Sequence, residues 1–564
     1  MAVSLSKEQQ DAHVKIRDFL NSSKKWFPIY GCAGTGKTWF VTYIIGREDM
    51  SKFDKIYFIA PTNKAVNVLL TKNTENIDFT KTKFLTIDKF LGTNERIDKF
   101  GYTYFSPNGL TKITYGDNYK TRKDYYVSNK HLQSVENYDI LSKELYESNS
   151  DTTFNKYTLD YNIFEGHCAG SRTTALIIID EISMISTDKW SFIKNFTGNS
   201  KIILLGDINQ LSPVKDKQLE SIVFEEIDND VIDCHSKINF TEIQRNKDPN
   251  LGKIYNKLRK TIDLARNILL NGKNYNLSNE EKNCLKKLVS KNITKFKNIN
   301  DLNLSLKSAL ETEIDFMFLN FNNTNTNENV NSHNENLIKI INETKENYFG
   351  YYLNSKYIFT NYYNNINTGT EFKIIEINYY KEKKEYVLKI EYQSYNKKEK
   401  RVTVQTNNLK ILEEDEYDKR VGFQINKRNK YKALYKKNNT NKLTKKDRLE
   451  FNDIMKDIDN EIEKYLEFKK NKAQITAKYP NKLELILLLL NQDIKKYIKK
   501  GEEPFKLDYM NTVHKAQGST YEKVYVNVYN IINERNFNHF EMLKLLYVAV
   551  SRPSESLELV DIKG

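Results

Sequence analysis

The chain has 564 residues, 39% hydrophobic and 29% charged, which is too long for one hydrophobic core and sets an expectation of roughly two to four domains. Its 88 lysines and arginines against 74 aspartates and glutamates give a net charge of +14, which favours a polyanionic partner through attraction and counterion release. No run reaches membrane-spanning length, the MAVSLSKEQQ start lacks a signal-peptide core, and Cys32, Cys168, Cys234 and Cys284 show no Cys-x-x-Cys spacing. A membrane partner, a secreted disulfide framework and a zinc module are therefore not expected, and the chain reads as a protein of a cytoplasmic or cytosol-like interior, the host cell's if it is viral or phage-encoded. The 37 tyrosines could stack on bases, although codon bias in an AT-rich genome explains them equally well.

The first predicted element is a helix over Ser6 to Leu20, opened by Ser-x-x-Gln. Four short apolar runs follow at Trp26–Tyr30, Ile56–Ala60, Leu176–Ile179 and Ile202–Leu205, each ending in polar or glycine-rich residues. Continuous apolar runs of this kind suit central strands of a parallel sheet, whose active residues gather beyond the C-terminal strand ends. Between them, Tyr102–Phe105 and Leu110–Tyr115 read as a hairpin joined at Asn108-Gly109, an inserted unit. Lysine-rich helical periodicity runs from Lys247 to Asn300, and the asparagine-dominated stretch Asn320–Asn336 reads as an exposed loop. Phe372–Ile377, Tyr386–Tyr392 and Arg401–Val404 suit a small antiparallel unit, followed by a long charged helical arm over Leu443–Glu502 that contains the apolar run Leu485–Leu490. The sheet pattern returns at Tyr509–Thr512 and Val524–Tyr529.

The sharpest local signal is Gly31-Cys32-Ala33-Gly34-Thr35-Gly36-Lys37-Thr38, set between a strand and a helix. Its glycines let backbone N–H groups wrap a β-phosphate, Lys37 reaches the β- and γ-phosphates, and Thr38 offers a hydroxyl to Mg²⁺; ATP and Mg²⁺ are the expected ligands. Asp180, at the end of Leu176-Ile-Ile-Ile, would complete the metal shell, and Glu181 would deprotonate the attacking water. Gln210, in Gly206-Asp207-Ile-Asn-Gln210, can report on the γ-phosphate, and Arg245 and Arg552 are candidates to stabilise charge on the transferring phosphoryl group. Cys32 lies where loop dipoles and Lys37 would favour a thiolate; the alternative is a small residue filling a tight loop.

These segments, in this order, resemble the superfamily 1 helicases, nearest the Dda-like and RecD/Pif-like branch (superfamily 1B), over most of two motor domains. The resemblance implies an α/β fold of two RecA-like P-loop NTPase domains with inserted subdomains: 1–92 and 170–246 as the first motor domain, 93–169 as a hairpin-bearing insertion, 247–370 and 505–564 as the second motor domain, and 371–504 as an SH3-like unit with a helical arm. It places Gln9, in Leu5-Ser-Lys-Glu-Gln9, on the adenine edge, with a helix-capping role as the rival. Pro61, Thr62, Asn63, Lys64 and Thr86 look like backbone-contacting motifs. Thr512-Val-His514-Lys515-Ala-Gln517-Gly518-Ser-Thr520 looks like the segment that touches both the tracked strand and the nucleotide; Thr512, His514, Lys515, Gln517 and Thr520 are assigned to nucleic acid and Gly518 to the nucleotide side.

The resemblance implies a DNA-stimulated ATPase moving 5′ to 3′ on single-stranded DNA and unwinding forked duplexes in replication, recombination or repair. Partners expected from it are single-stranded and forked DNA and replication proteins such as a single-strand-binding protein or a polymerase, with the chain a monomer or weakly self-associating. A translocase that displaces bound proteins while unwinding little, and a non-motor nucleic-acid-binding scaffold, are the competing readings.

Overall fold

The computed structural model describes residues 5–71, 77–97, 103–107, 110–115, 123–128, 174–197, 200–213, 237–246, 248–272, 275–280, 293–321, 328–348, 351–360, 366–380, 385–396, 401–412, 505–533 and 538–562, with a few isolated positions between them. The expected helical arm after 412, including Leu485–Leu490, lies outside the described residues apart from three single positions.

Ser6 and Gln9 form a reciprocal capping box that starts α1 (Lys7–Asn21), whose Ala12, Ile16, Phe19 and Leu20 are buried. The first lobe then takes β1 (Trp26–Gly31), α2 (Lys37–Ile45), β2 (Lys55–Ala60), α3 (Asn63–Thr71), β3 (Thr82–Thr86) and α4 (Ile87–Leu91). Four short strands branch off, β4 (Thr93–Ile97), β5 (Thr103–Pro107), β6 (Leu110–Tyr115) and β7 (Lys123–Ser128). The chain returns through β8 (Ala175–Ile179), α5 (Thr187–Phe196), β9 (Lys201–Gly206) and β10 (Ile238–Phe240). The main strands form one six-stranded sheet in the order β10-β1-β9-β8-β2-β3, every pairing parallel. All four expected apolar runs lie in it; β3 and β10 were not expected, because each is short and mixed in polarity.

Every residue of β8 is buried, since both faces of the sheet are covered. Ile16, Phe40, Ile44 and Leu69 pack on one side and Phe90, Trp190, Phe192 and Ile193 on the other. Each such apolar side chain contributes about 1.5–3 kcal/mol by leaving water.

The expected hairpin is corrected. Both strands exist, but β5 pairs antiparallel with β4, and β6 pairs with β7. Proline at 107 supplies the reason: a two-residue loop at 108–109 would need the N–H of residue 107 to close the turn, and proline has none.

The second lobe begins with α6 (Pro249–Leu270), capped by Asp248 and started by a proline that needs no N–H partner there. It continues with β11 (Thr294–Phe296), α7 (Ile299–Glu311), β12 (Phe316–Asn320), α8 (Glu328–Thr344) and the short pair β13 (Asn347–Tyr348) and β14 (Tyr351–Tyr352). A small sheet follows, formed by β15 (Lys356–Phe359), β16 (Glu371–Tyr380), β17 (Glu385–Asn396), β18 (Arg401–Leu412) and β19 (Phe505–Leu507). The lobe closes with β20 (Met510–Thr512), α9 (Val513–Ala516), β21 (Tyr521–Asn527), α10 (Val528–Asn533), α11 (His539–Val550) and β22 (Pro553–Val560). Its main sheet, β11-β22-β21-β12-β20, is again wholly parallel. Two RecA-like lobes therefore face each other, the second carrying an inserted antiparallel sheet.

That small sheet has the order β18-β17-β16-β15-β19 and draws β15 and β19 from outside 371–504. The asparagine-rich stretch is also not all loop, because residues 328–336 begin α8. Leu337, Ile340 and Ile341 are buried on that helix in the core shared with Leu302 and Leu306 of α7, and this anchor overrides the weak helix propensity of asparagine. No helix among the described residues is long and apolar enough to cross a membrane.

Candidate nucleotide site between the two lobes

β1 ends at Gly31, and the loop to α2 passes through Gly34 and Gly36 at φ +79° and +80°, a backbone region that a side chain would strain. A Cβ on Gly34 would also lie 2.8 Å from Arg245 Cβ. That closeness is used: Gly34 O accepts from the backbone N–H of Gln244 at 2.8 Å and of Arg245 at 2.9 Å. The loop and the Arg245 segment are thus one unit. The Lys37 ammonium is buried and donates to Gly31 O and Cys32 O, both at 2.9 Å. Burial pushes its pKa below the ordinary lysine range, while Asp207, Glu181 and Asp180 pull the other way.

At the end of β8, Asp180 Oδ2 accepts from Thr38 Oγ1 at 2.8 Å and Asp180 Oδ1 from the Glu181 N–H at 2.9 Å. Glu181 takes φ 54°, uncommon for a non-glycine residue, which starts a short 3₁₀ turn at once after the strand. Its carboxyl is raised to about 7, first by burial and next by Asp180, with Arg552, Lys37 and Arg245 opposing. Thr38 and Asp180 are a pair of hard oxygen donors beside a phosphate-binding loop, a donor set that fits Mg²⁺.

The second lobe completes the cavity. Arg552 is 1% exposed and donates from Nε to Val548 O at 2.9 Å, from one NH₂ to Ser519 O at 3.3 Å and from the other to Ser551 Oγ at 2.8 Å. Arg245 donates to Ser551 O at 2.6 Å. Burial lowers both guanidinium pKa values; that of Arg245 falls to about 10, with Arg552 as the second cause. Gln210 Oε1 accepts from Gln517 Nε2 at 3.0 Å. One cavity of about 510 Å³ is lined by Gln9, Ala33, Gly34, Gly36, Lys37, Thr38, Asp180, Glu181, Gln210, Arg245 and Arg552. Its volume lies within the roughly 300–1,000 Å³ of small-molecule sites.

Gln9 caps α1 and also lines the cavity. Its Oε1 accepts from the Ser6 N–H at 3.1 Å, as the cap requires, while its Nε2 is turned toward Gly36 at the cavity wall. Gly518 does not line the cavity but lies behind it, where a Cβ would sit 3.7 Å from Glu181 Oε1. Cys32 is corrected: it is buried, and that burial raises its thiol pKa despite Arg259 and Lys37. Thr35 folds inward, donating to Cys32 O at 2.9 Å. Trp39, Gln244 and Ser554 also line the cavity and were not singled out in the sequence, where they are simply neighbours of motif residues.

The residues assigned to nucleic acid divide. Ala60 and Thr86 are register partners, so the Pro61–Lys64 and Thr86 segments leave the first sheet side by side. Thr62 accepts from the Ala65 N–H at 3.2 Å, Thr86 caps α4 and Thr512 caps α9. Asn63 begins α3, where Gly369 approaches closely, Lys515 is exposed and His514 is half-buried with its pKa lowered by burial. Three of these residues have defined neighbours within the protein. Gln517 is buried against Gln210 and Ser183, so it bridges the lobes at the nucleotide side. Thr520 lines the nucleotide cavity. Lys64 is held by Glu371, Asp508 and the Tyr521 hydroxyl. Sequence placed all three within strand-contacting motifs; their actual neighbours are far away along the chain.

Residues 18–216 match the AAA domain family, which spans the phosphate loop, Asp180 and Gln210. Over 585 aligned residues, covering 98% of each chain, the protein is 26% identical to "Uncharacterized protein R530" of Acanthamoeba polyphaga mimivirus. Among solved structures, it is similar to the Pif1 helicase of Candida albicans (TM-score 0.42, 14% identity, 99% of this chain and 95% of that one). It is likewise similar to Pif1 helicase from Bacteroides in complex with ADP-AlF3 and ssDNA (TM-score 0.42, 13% identity, 99% and 92%). Fold and site define a P-loop NTPase with two RecA-like lobes meeting at one nucleotide cavity. The AAA match covers the first lobe alone, where the phosphate loop, Asp180 and Gln210 lie.

Proposed function

We propose that the protein is an ATP-dependent DNA helicase that moves 5′ to 3′ along single-stranded DNA and separates forked duplexes. The observation that carries this reading is that Lys37 of the first lobe and Arg552 of the second line one cavity.

In this reading the N–H groups of Gly34 to Thr38, with Lys37, bind the triphosphate. Thr38 and Asp180 would hold Mg²⁺, which supplies charge neutralisation at the phosphates. Glu181, with a carboxyl pKa near neutrality, takes the proton of the attacking water. Arg245 and Arg552 stabilise the charge that develops on the transferring group, and Gln210 registers its presence. Groups from both lobes then grip one ligand, and loss of its terminal phosphate removes the attraction that draws them together. Alternate grip by the Thr62/Thr86 and Thr512/His514 segments turns that closure into steps along a sequence-independent backbone. The net charge of +14 supports a polyanionic track.

The test is a forked duplex with a single 5′ tail, incubated with ATP and Mg²⁺ and compared with its 3′-tailed counterpart. Unwinding of the first alone is expected. Unwinding of the second alone would overturn the direction, and strand-stimulated ATP turnover without separation of either would favour the protein-displacing translocase. Turnover undiminished in Lys37→Ala would overturn the motor reading.

A further inference from the structure

The loop that follows β9 is held from the second lobe at several points. Arg266 donates to Asn209 Oδ1 at 2.5 Å and to Ile208 O at 3.2 Å, and Gln517 donates to Gln210. The most enclosed contact belongs to Tyr547, in the last turns of α11. Its hydroxyl donates to Asp207 Oδ2 at 2.6 Å and accepts from the backbone N–H of Ala33 at 2.9 Å. Arg259 of α6 lies 3.4 Å from Asp207 Oδ1 and 3.5 Å from the Tyr547 hydroxyl. Tyr547 is 0% exposed and Asp207 1%.

Packing alone does not account for this arrangement. The ring of Tyr547 lies in an apolar core with Leu258, Leu546 and Val548, where phenylalanine would bury the same surface. The hydroxyl is what differs, and in that setting it must be hydrogen-bonded. Burial, and next the Asp207 carboxylate, raise its pKa well above the ordinary tyrosine value, so it remains a donor. Its two closest partners belong to the first lobe: Ala33 lies in the phosphate loop two residues before Thr35, and Asp207 lies three residues before Gln210. One oxygen atom carried by the second lobe therefore fixes the phosphate loop and the Gln210 loop relative to each other.

We infer that Tyr547 is a positioning residue: through Ala33 and Asp207 its hydroxyl sets the register between the phosphate loop and the Gln210 loop, and makes that register depend on where the second lobe stands. The inference rests on the reading of the cavity as an ATP-hydrolysing site. It makes the rate of the chemical step, and not nucleotide affinity, the quantity that follows lobe position. A phosphate loop released from Tyr547 still presents its N–H groups and Lys37 to a nucleotide.

The experiment is steady-state ATP turnover in the presence of oligo(dT), with nucleotide binding followed separately by a fluorescent ATP analogue. In Tyr547→Phe, kcat is expected to fall about ten-fold or more, the consequence of losing a buried charge-assisted hydrogen bond. KM and analogue affinity should change less than about two-fold, a split that locates the loss in the chemical step once each rate is expressed per folded site. Asp207→Asn should give a similar split, and the double variant should be no slower than the slower single variant, because both remove one linkage. Active-site titration with the analogue normalises each rate to folded protein. A kcat per site within two-fold of the unsubstituted chain, or losses that multiply in the double variant, would overturn the inference. Lys37→Ala, run alongside, separates the two levels: its loss of turnover upholds the nucleotide-site reading whatever Tyr547→Phe does, whereas its retained turnover would overturn both.

Discussion

The Lys64 ammonium lies 2.6 Å from a carboxylate oxygen of Glu371 and 3.6 Å from Asp508 Oδ2. Lys64 belongs to α3 of the first lobe, Glu371 begins β16 of the small antiparallel sheet and Asp508 precedes β20, so one cation ties together three parts of the molecule. Asp508 is wholly buried, and a carboxylate in that position is costly without a cation. Burial opposes the charge on Lys64, yet Tyr521, Asp508 and Glu371 together hold its pKa well above the ordinary value; burial likewise opposes the charge on Glu371, and Lys64 overrides it.

Replacing Lys64 by methionine should therefore destabilise the chain by about 2–3 kcal/mol, between the cost of breaking a buried pair and the small value of an exposed one, because Glu371 is partly solvated. Chemical denaturation monitored by tyrosine and tryptophan fluorescence measures it, and Lys64→Met/Asp508→Asn should recover part of the loss. The pH dependence has a definite sign. The raised lysine pKa contributes stability that is full below the ordinary 10.5 and is lost as pH rises through the folded value. The lowered glutamate pKa contributes stability that is full above the ordinary 4.5 and is lost as pH falls through the folded value. The difference between unsubstituted and Lys64→Met chains should be constant near neutrality and shrink in acid; a difference that grows in acid would contradict the pairing.

Arg552 makes its three hydrogen bonds with a planar fork that lysine cannot reproduce. Arg552→Lys should lower strand-stimulated ATP turnover by about 10³-fold while leaving fluorescent-nucleotide binding within a few-fold. Single-turnover hydrolysis gives the comparison. A loss confined to binding would place the arginine's role in the ground state.

Glu181 and Asp180 are adjacent in sequence but differ in task, since Asp180 bonds Thr38 and Glu181 enters the cavity unbonded to it. Glu181→Gln keeps the shape and removes the base. Turnover should fall about 10²–10⁴-fold with ATP still bound, so a nucleotide–protein–DNA complex should be trapped and visible by gel shift. Equal loss of binding and turnover would make Glu181 a binding group.

Cys32, buried with its thiol pKa raised, should react slowly with iodoacetamide at neutral pH, slower than a free cysteine, and speed up as the pH rises. Peptide mapping by mass spectrometry distinguishes Cys32 from the other three cysteines. Rapid labelling near neutrality would mean that the thiolate is favoured after all.

Sequence by itself determined whatever depends on contiguous residues. The phosphate loop, the Asp180-Glu181 pair and the four apolar strands were legible because strand–loop–helix chemistry is written within a few positions of each functional group. The same locality explains the failures. The strands at 103–107 and 110–115 were visible, but their partners were not, since pairing depends on which backbone edges meet. Tertiary structure alone decided that Gln517 joins Gln210 across 307 positions, that Ala33 meets the Tyr547 hydroxyl across 514, and that Lys64 faces carboxylates of the other lobe. A buried tyrosine in an apolar helix reads as core until the groups opposite its oxygen are known, because burial turns an otherwise idle hydroxyl into one that must find a donor or an acceptor.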